Sequence, residues 1–241
     1  MSDYQSIKSR RAETDYIMPM WLAFLPVIIA IVGEIVAVML AISVLLPEFE
    51  ASGMPPQQPY MNNLITLELS SVLIPAYVIS IIADAIMGYV IYRLIKRFND
   101  HVARMKALFS SVNQDGRENQ VISEIDSLPR KDPAMWSILI AVLAIMPYVS
   151  IVSFILLIYI YHSLNKDFVK LESIEDSGFR QIGWRDERRF KVVDRSTAIY
   201  IVLTIITLGI FMLYWLYTVV KDPNEHFRED WRIEDSIMPS P

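Results

Sequence analysis

The sequence predicts an all-α protein, a helical bundle embedded in a lipid bilayer, and three observations carry that expectation. Of its 241 residues, 54% are apolar and only 20% are charged, a balance shifted away from that of soluble domains. The charges are also segregated. Between Asp15 and Glu48 the only one is Glu34, and between Glu50 and Arg93 there are only Glu68 and Asp84. Apart from His162, no acidic or basic residue stands between Asp132 and Lys166, and no Asp, Glu, Lys, Arg or His between Arg195 and Lys221. Within these four stretches the apolar residues are continuous rather than alternating, which suits helices and not barrel strands.

Crossing a hydrocarbon layer of about 30 Å takes about 20 residues at a helical rise of about 1.5 Å. Each of the four stretches is long enough. Residues 1–15 form a tail carrying Lys8, Arg10 and Arg11. Residues 16–46 form a first membrane helix, about twice as long as the apolar part of a signal peptide, and so an uncleaved anchor. Residues 47–63 form an external loop with Glu48, Glu50, Pro55, Pro56 and Pro59 and no basic residue, followed by a second membrane helix over 64–92. Residues 93–132 continue that helix as an amphipathic cytoplasmic extension and loop. Here Ile95, Phe98, Val102, Met105, Phe109 and Val112 recur at spacings of three and four, while Arg93, Lys96, Arg97, Arg104 and Lys106 lie off that stripe. Such a seam docks on another cytoplasmic helix of the chain or of a twin subunit, the alternative being a helix lying on the membrane with its basic residues at anionic headgroups. Asn113-Gln114-Asp115-Gly116 reads as its end. Segments three (133–164) and four (196–220) follow, separated by a polar loop (165–195), and residues 221–241 form a C-terminal tail.

Short cytoplasmic loops are enriched in Lys and Arg, which places the N-terminus in the cytoplasm of a cell-membrane protein. The N-terminal tail has three such residues, the external loop none, the stretches 93–131 and 166–195 eight each, and the tail three. Four plain spans are the primary expectation, although they leave the second group of eight outside. Two spans plus two re-entrant hairpins, turning near Met146-Pro147 and Leu208-Gly209, would put all 22 on one side.

Carboxylates deep in a bilayer normally face a bundle interior or water. Glu34 and Asp84 are therefore the candidate intramembrane polar site, with no basic residue in either run to pair with them. The three histidines, His101, His162 and His226, stand near helix exits, where solvated rings are expected. A metal site using His101 and His226 with Asp100 or Glu225 is the sharper alternative. Cys is absent, excluding thiolate sites and Cys nucleophiles, and no paired zinc-ligand histidines on one helix, nucleophile elbow or phosphate loop is present. No catalytic residue, cofactor or metal is assigned. The net charge of -5 and the lack of a dense basic tract argue against nucleic acid.

A weak internal repeat runs through the helix exits. Tyr92 is followed seven positions later by Asn99-Asp100-His101-Val102, and Tyr217 by Asn224-Glu225-His226-Phe227. A looser copy joins Tyr161 to Asn165-Lys166-Asp167-Phe168. The fourth segment also has a distinctive order: Thr207-Leu208-Gly209-Ile210-Phe211, then Tyr214-Trp215-Leu216-Tyr217, then Lys221-Asp222-Pro223-Asn224-Glu225-His226-Phe227. This resembles the signature of a prokaryotic, mainly archaeal-type integral membrane family catalogued as a domain of unknown function. The likeness covers roughly 132–229 and is specific in the fourth segment, on Gly209, Tyr214, Trp215, Tyr217, Asn224 and His226. It implies a membrane location and a prokaryotic origin, and it carries no activity.

The expected function is that of a non-enzymatic scaffold or accessory subunit of a membrane assembly, partnered by the lipid bilayer and by a second copy or another membrane subunit. The alternative is an ion- or proton-coupled transporter component using Glu34 and Asp84.

Overall fold

The computed structural model describes the backbone of residues 3–51, 58–112, 120–146 and 148–237, and the side chains of 5–43, 74–112, 120–146 and 148–237. The expected loop prolines Pro55 and Pro56, the helix end at Asn113–Gly116, Pro147 and the side chain of Glu68 lie outside these residues. Among the described residues the chain is helical, with no strand.

Two short helices, α1 (Asp3–Ser9) and α2 (Arg11–Thr14), precede α3 (Met20–Ala51) and α4 (Gln58–Val112). Two stretches, Met20–Ser43 and Ile74–Val112, are long and apolar enough to cross a membrane, with mean hydropathies of 2.7 and 1.9. Only 11% and 22% of their most apolar windows are buried within the chain. Gly33 lets them meet: a Cβ there would stand 2.6 Å from Ile79 Cγ2.

The third and fourth apolar segments are not continuous helices, in contrast to the plain spans expected first. After α5 (Gln120–Asp126), α6 (Pro133–Ile145) starts on an Asp132 cap that accepts from the Met135 N–H, with Pro133 in its first turn. It stops at Met146, the chain turns through Tyr148 at φ 68°, and α7 (Ser150–Gln181) runs back beside it. The Ser153 hydroxyl donates to the Ile140 carbonyl across this hairpin, at 2.8 Å. The second hairpin repeats the device. Helix α8 (Thr197–Ile206) ends in Thr207, Leu208 and Gly209 take φ of 50° and 92°, and α9 (Ile210–Ile237) returns. The Gly209 N–H closes the turn on the Thr204 carbonyl at 2.7 Å, and glycine supplies the left-handed conformation without penalty. Tyr148 and Leu208, at the two tips, are 99% and 93% exposed.

The polar ends of the helix pairs are joined by the repeated asparagines. Asn99 on α4 donates to the Lys131 carbonyl on the approach to α6. On α7, Asn165 donates to the Val193 carbonyl and accepts from the Arg195 N–H on the approach to α8. On α9, Asn224 accepts from the Met18 N–H and donates to the Met18 carbonyl on the approach to α3. Each asparagine thus satisfies the backbone of an extended segment leading into an apolar helix, where strand-like or helical partners are missing. The sequence repeat marks a ring of three helix pairs, each latching the next.

The seam on α4 packs inside this same chain. Ile95, Phe98, Val102, Met105 and Phe109 are buried and Val112 is half-buried. Phe98 meets Phe168 at 5.0 Å, and Phe109 meets Phe179 at 5.4 Å. The basic residues placed off the seam are not all solvated, because α9 and the N-terminal segment cover a second face of α4. Arg97 and Arg104 are buried, and Arg93 lies 3.8 Å over the Tyr16 ring.

A candidate ionic centre where three helices meet

Three polar stripes converge in this core. On α4, Arg97, His101 and Arg104 recur at helical spacing; α7 brings Glu172 and Glu175; and α9 brings His226, Asp230 and Glu234. Asp15 enters from the segment before α3 and Arg188 from the segment after α7. The expectation of solvated histidines fails for His101 and His226, both fully buried. Their rings lie 5.5 Å apart. Their neighbours are not the half-buried Asp100 and Glu225 adjacent in sequence, because i and i+1 point to different helix faces, but carboxylates from other segments and, for His226, also Asp230 one turn along its own helix.

The two Nε2 atoms turn toward one point. His101 Nε2 is 2.9 Å from Glu175 Oε1 and 3.3 Å from Asp230 Oδ2. His226 Nε2 is 3.0 Å from Glu175 Oε2 and 3.2 Å from the same Asp230 oxygen. Behind each ring a further carboxylate holds Nδ1: Asp15 at 2.8 Å from His101 and Glu172 at 3.3 Å from His226. Arg188 pairs with Asp230 Oδ1 at 2.6 Å and also with Asp176. Arg104 bridges Asp15 (2.6 Å) and Glu234 (2.7 Å), and the Trp231 indole donates to Asp15 at 2.7 Å.

Burial penalises every charge here, so the sign of each shift reports which neighbours win. Burial raises the Asp15 carboxyl, but His101 and Arg104 outweigh it and hold it at about 2. Burial opposes the His226 imidazolium, yet Asp230 and Glu175 lift it to about 9. The Asp230 carboxyl, resisted by burial, is held far below the usual range by Arg188 and His226. At Glu234 burial prevails over Arg104, and the carboxyl is raised.

Residues 195–237 match the model of a family described as Domain of unknown function (DUF4234). The matched stretch holds α8, the Leu208-Gly209 turn and α9, and so includes His226, Asp230 and Glu234. It also contains Gly209, Tyr214, Trp215, Tyr217 and Asn224. Gly209 makes the turn, Trp215 is buried against Tyr200 (5.3 Å) and Tyr161 (5.9 Å), Tyr214 stacks on Tyr217, and Asn224 latches Met18. No curated protein and no solved structure matches the chain.

Glu34 and Asp84 are not brought together. Glu34 is exposed beside Gly33, at the level of Ile79, whereas Asp84 is half-buried beside Pro26, Val27 and Ala30. Asp84 lies five helical steps beyond Ile79, roughly 7.5 Å along the axis. Neither carboxylate has a hydrogen bond or ion pair among the described residues.

Proposed function

We propose that this chain is a multi-pass membrane scaffold or accessory subunit. In this reading α3 and the outer part of α4 cross the bilayer, and the hairpins α6/α7 and α8/α9 enter it from the cytoplasmic side and turn back. The observation that carries it is the pair of left-handed turns at Tyr148 and Leu208, apolar and almost fully exposed, opposite bases bound by Lys131–Asp167 and Arg195–Asp222. Helices α6 and α8 have 13 and 10 residues, so at about 1.5 Å per residue neither arm reaches across about 30 Å of hydrocarbon. With this topology all 22 Lys and Arg lie on the cytoplasmic side with the N-terminus, as charge asymmetry favours in a cell membrane. The closed ionic centre offers a substrate no opening, which favours a structural part over an enzyme. The partner is a second copy of the chain or another membrane subunit.

The sequence has no cysteine, so single substitutions Ser173→Cys and Ser177→Cys, both at exposed positions of α7, can be labelled without background. Membrane-impermeant maleimide should react only from the cytoplasmic side; reaction from outside restores four spans and defeats the hairpins. Mass measurement of the particle purified in mild detergent tests the scaffold, which predicts more than one chain; a lone monomer counts against it.

A second reading, a proton or cation site, rests on Asp84, which lines a cavity of about 290 Å³ with Ser150 and Ser153. It predicts flux in liposomes that Asp84→Asn abolishes. Flux that survives the substitution, or is absent from the parent, removes it.

A further inference from the structure

We infer that His101, Glu175, His226 and Asp230 form a binding site for a divalent first-row transition metal ion, of which zinc fits best. The argument starts from the directions of the buried atoms. One nitrogen or oxygen from each of the four residues lies within 4.8 Å of all the others, and all four residues are buried. Four ligands about 2.0–2.1 Å from a tetrahedral ion stand about 3.3 Å apart. Both Nε2 atoms stand near that spacing from the same Asp230 oxygen, at 3.3 and 3.2 Å, and each lies close to one of the two Glu175 oxygens, at 2.9 and 3.0 Å.

Hydrogen bonding accounts for only part of the arrangement: His101 Nε2 bonds Glu175 Oε1 and Arg188 pairs with Asp230 Oδ1, but His226 Nε2, Glu175 Oε2 and Asp230 Oδ2 are buried without a hydrogen-bond partner. They stand close to one another with the donor direction wrong, although buried polar atoms are nearly always bonded. An ion at their common focus satisfies them together.

The surrounding groups are those a metal site requires. A metal-bound imidazole presents one nitrogen to the ion and donates its other N–H to a carboxylate, which fixes tautomer and ring angle. His101 does so to Asp15 and His226 faces Glu172. Two imidazoles and two carboxylates are a donor set for zinc, manganese or ferrous iron rather than for magnesium or calcium, which prefer an all-oxygen shell. The ligands come from α4, α7 and α9, as in metal sites built between facing helices of a bundle. All four are closed from solvent, which marks a structural rather than a catalytic ion.

The test uses the full chain in mild detergent, stripped with a chelator, dialysed and then offered zinc, manganese, magnesium or calcium. Elemental analysis of the repurified protein should find one zinc per chain and no retained magnesium or calcium, and zinc should raise the unfolding temperature of the stripped protein. Cobalt in place of zinc should give the visible absorption of a tetrahedral site. The double variant His101→Gln, His226→Gln should lose the metal. Glu172→Gln, which keeps all four ligands, should weaken zinc binding about 10–100-fold. Folded parent protein that takes up no transition metal and shows no shift with zinc overturns the inference, as does full zinc retention by the folded double variant. The parent measurements decide even where a variant fails to fold.

Discussion

The guanidinium of Arg97 donates to the Val219 carbonyl oxygen at 2.9 Å. In an unbroken helix that oxygen would accept from the N–H four residues later, but residue 223 is proline and has none. A charged side chain from α4 therefore completes the hydrogen bonding of α9, and the same guanidinium donates to Asn224 at 2.9 Å.

This pairing predicts energetic coupling. Arg97→Met should destabilise the protein by about 1–3 kcal/mol by orphaning the Val219 carbonyl. In a Pro223→Ala background the new N–H supplies the missing donor, so the same change should cost less, by about 1 kcal/mol. A double-mutant cycle on unfolding in detergent reads the coupling, and strict additivity contradicts it.

Gly178 on α7 is set against Phe109 on α4: an added Cβ would stand 2.5 Å from the ring Cζ. Gly178→Ala should cost about 1–3 kcal/mol as the ring is displaced. Phe109→Leu removes the obstructing atoms, so the combined variant should be more stable than the sum of the two losses predicts. Denaturant midpoints measure both.

Asp15 sets an acid limit. Its carboxyl is held at about 2 in the folded protein against an ordinary value of 3.8. A depressed carboxylate contributes stability that is present above about pH 4 and lost as pH falls toward 2, here about 2 kcal/mol. Asp15→Asn should flatten that part of the stability-versus-pH profile, and an unchanged slope would show that Asp15 is not held by His101 and Arg104.

Leu208 separates a tip in lipid from a tip in water. On a water-exposed turn Leu208→Arg should be nearly neutral. Deep in hydrocarbon it should cost about 2.5–3.5 kcal/mol, less where the chain can snorkel. Comparing membrane yield and thermal stability with those of Ser173→Arg, a change on the polar part of α7, reads the difference.

The apolar helices were legible because their signal is local: uninterrupted apolar residues, a basic flank and turn-forming residues such as Leu208-Gly209. The hairpins were legible only as an alternative, since glycine and proline also occur in straight membrane helices. The ionic centre was hidden for a different reason. Asp230 and Arg188 stand in mixed-charge runs, Glu229-Asp230-Trp231-Arg232 and Arg185-Asp186-Glu187-Arg188-Arg189, which read as wetted surface. Their burial depends on a third helix far away in the chain. One local signal was present, polar residues in helical register on a helix whose other face was already apolar: Arg97, His101 and Arg104 on α4, His226 and Asp230 on α9. Such a helix has two faces to bury, and its polar one needs partners of opposite charge from elsewhere.

The asparagine ring sets an order of assembly during synthesis. The latches at Lys131 and at Val193 can each engage soon after their own pair of helices has emerged from the ribosome. Asn224 lies 206 residues downstream of the Met18 backbone it holds, so that clasp waits until α9 has been translated. Until then the approach to α3 lacks its asparagine clasp and Asp15 lacks the Trp231 donor, which makes the last hairpin the step that completes the hold on the first.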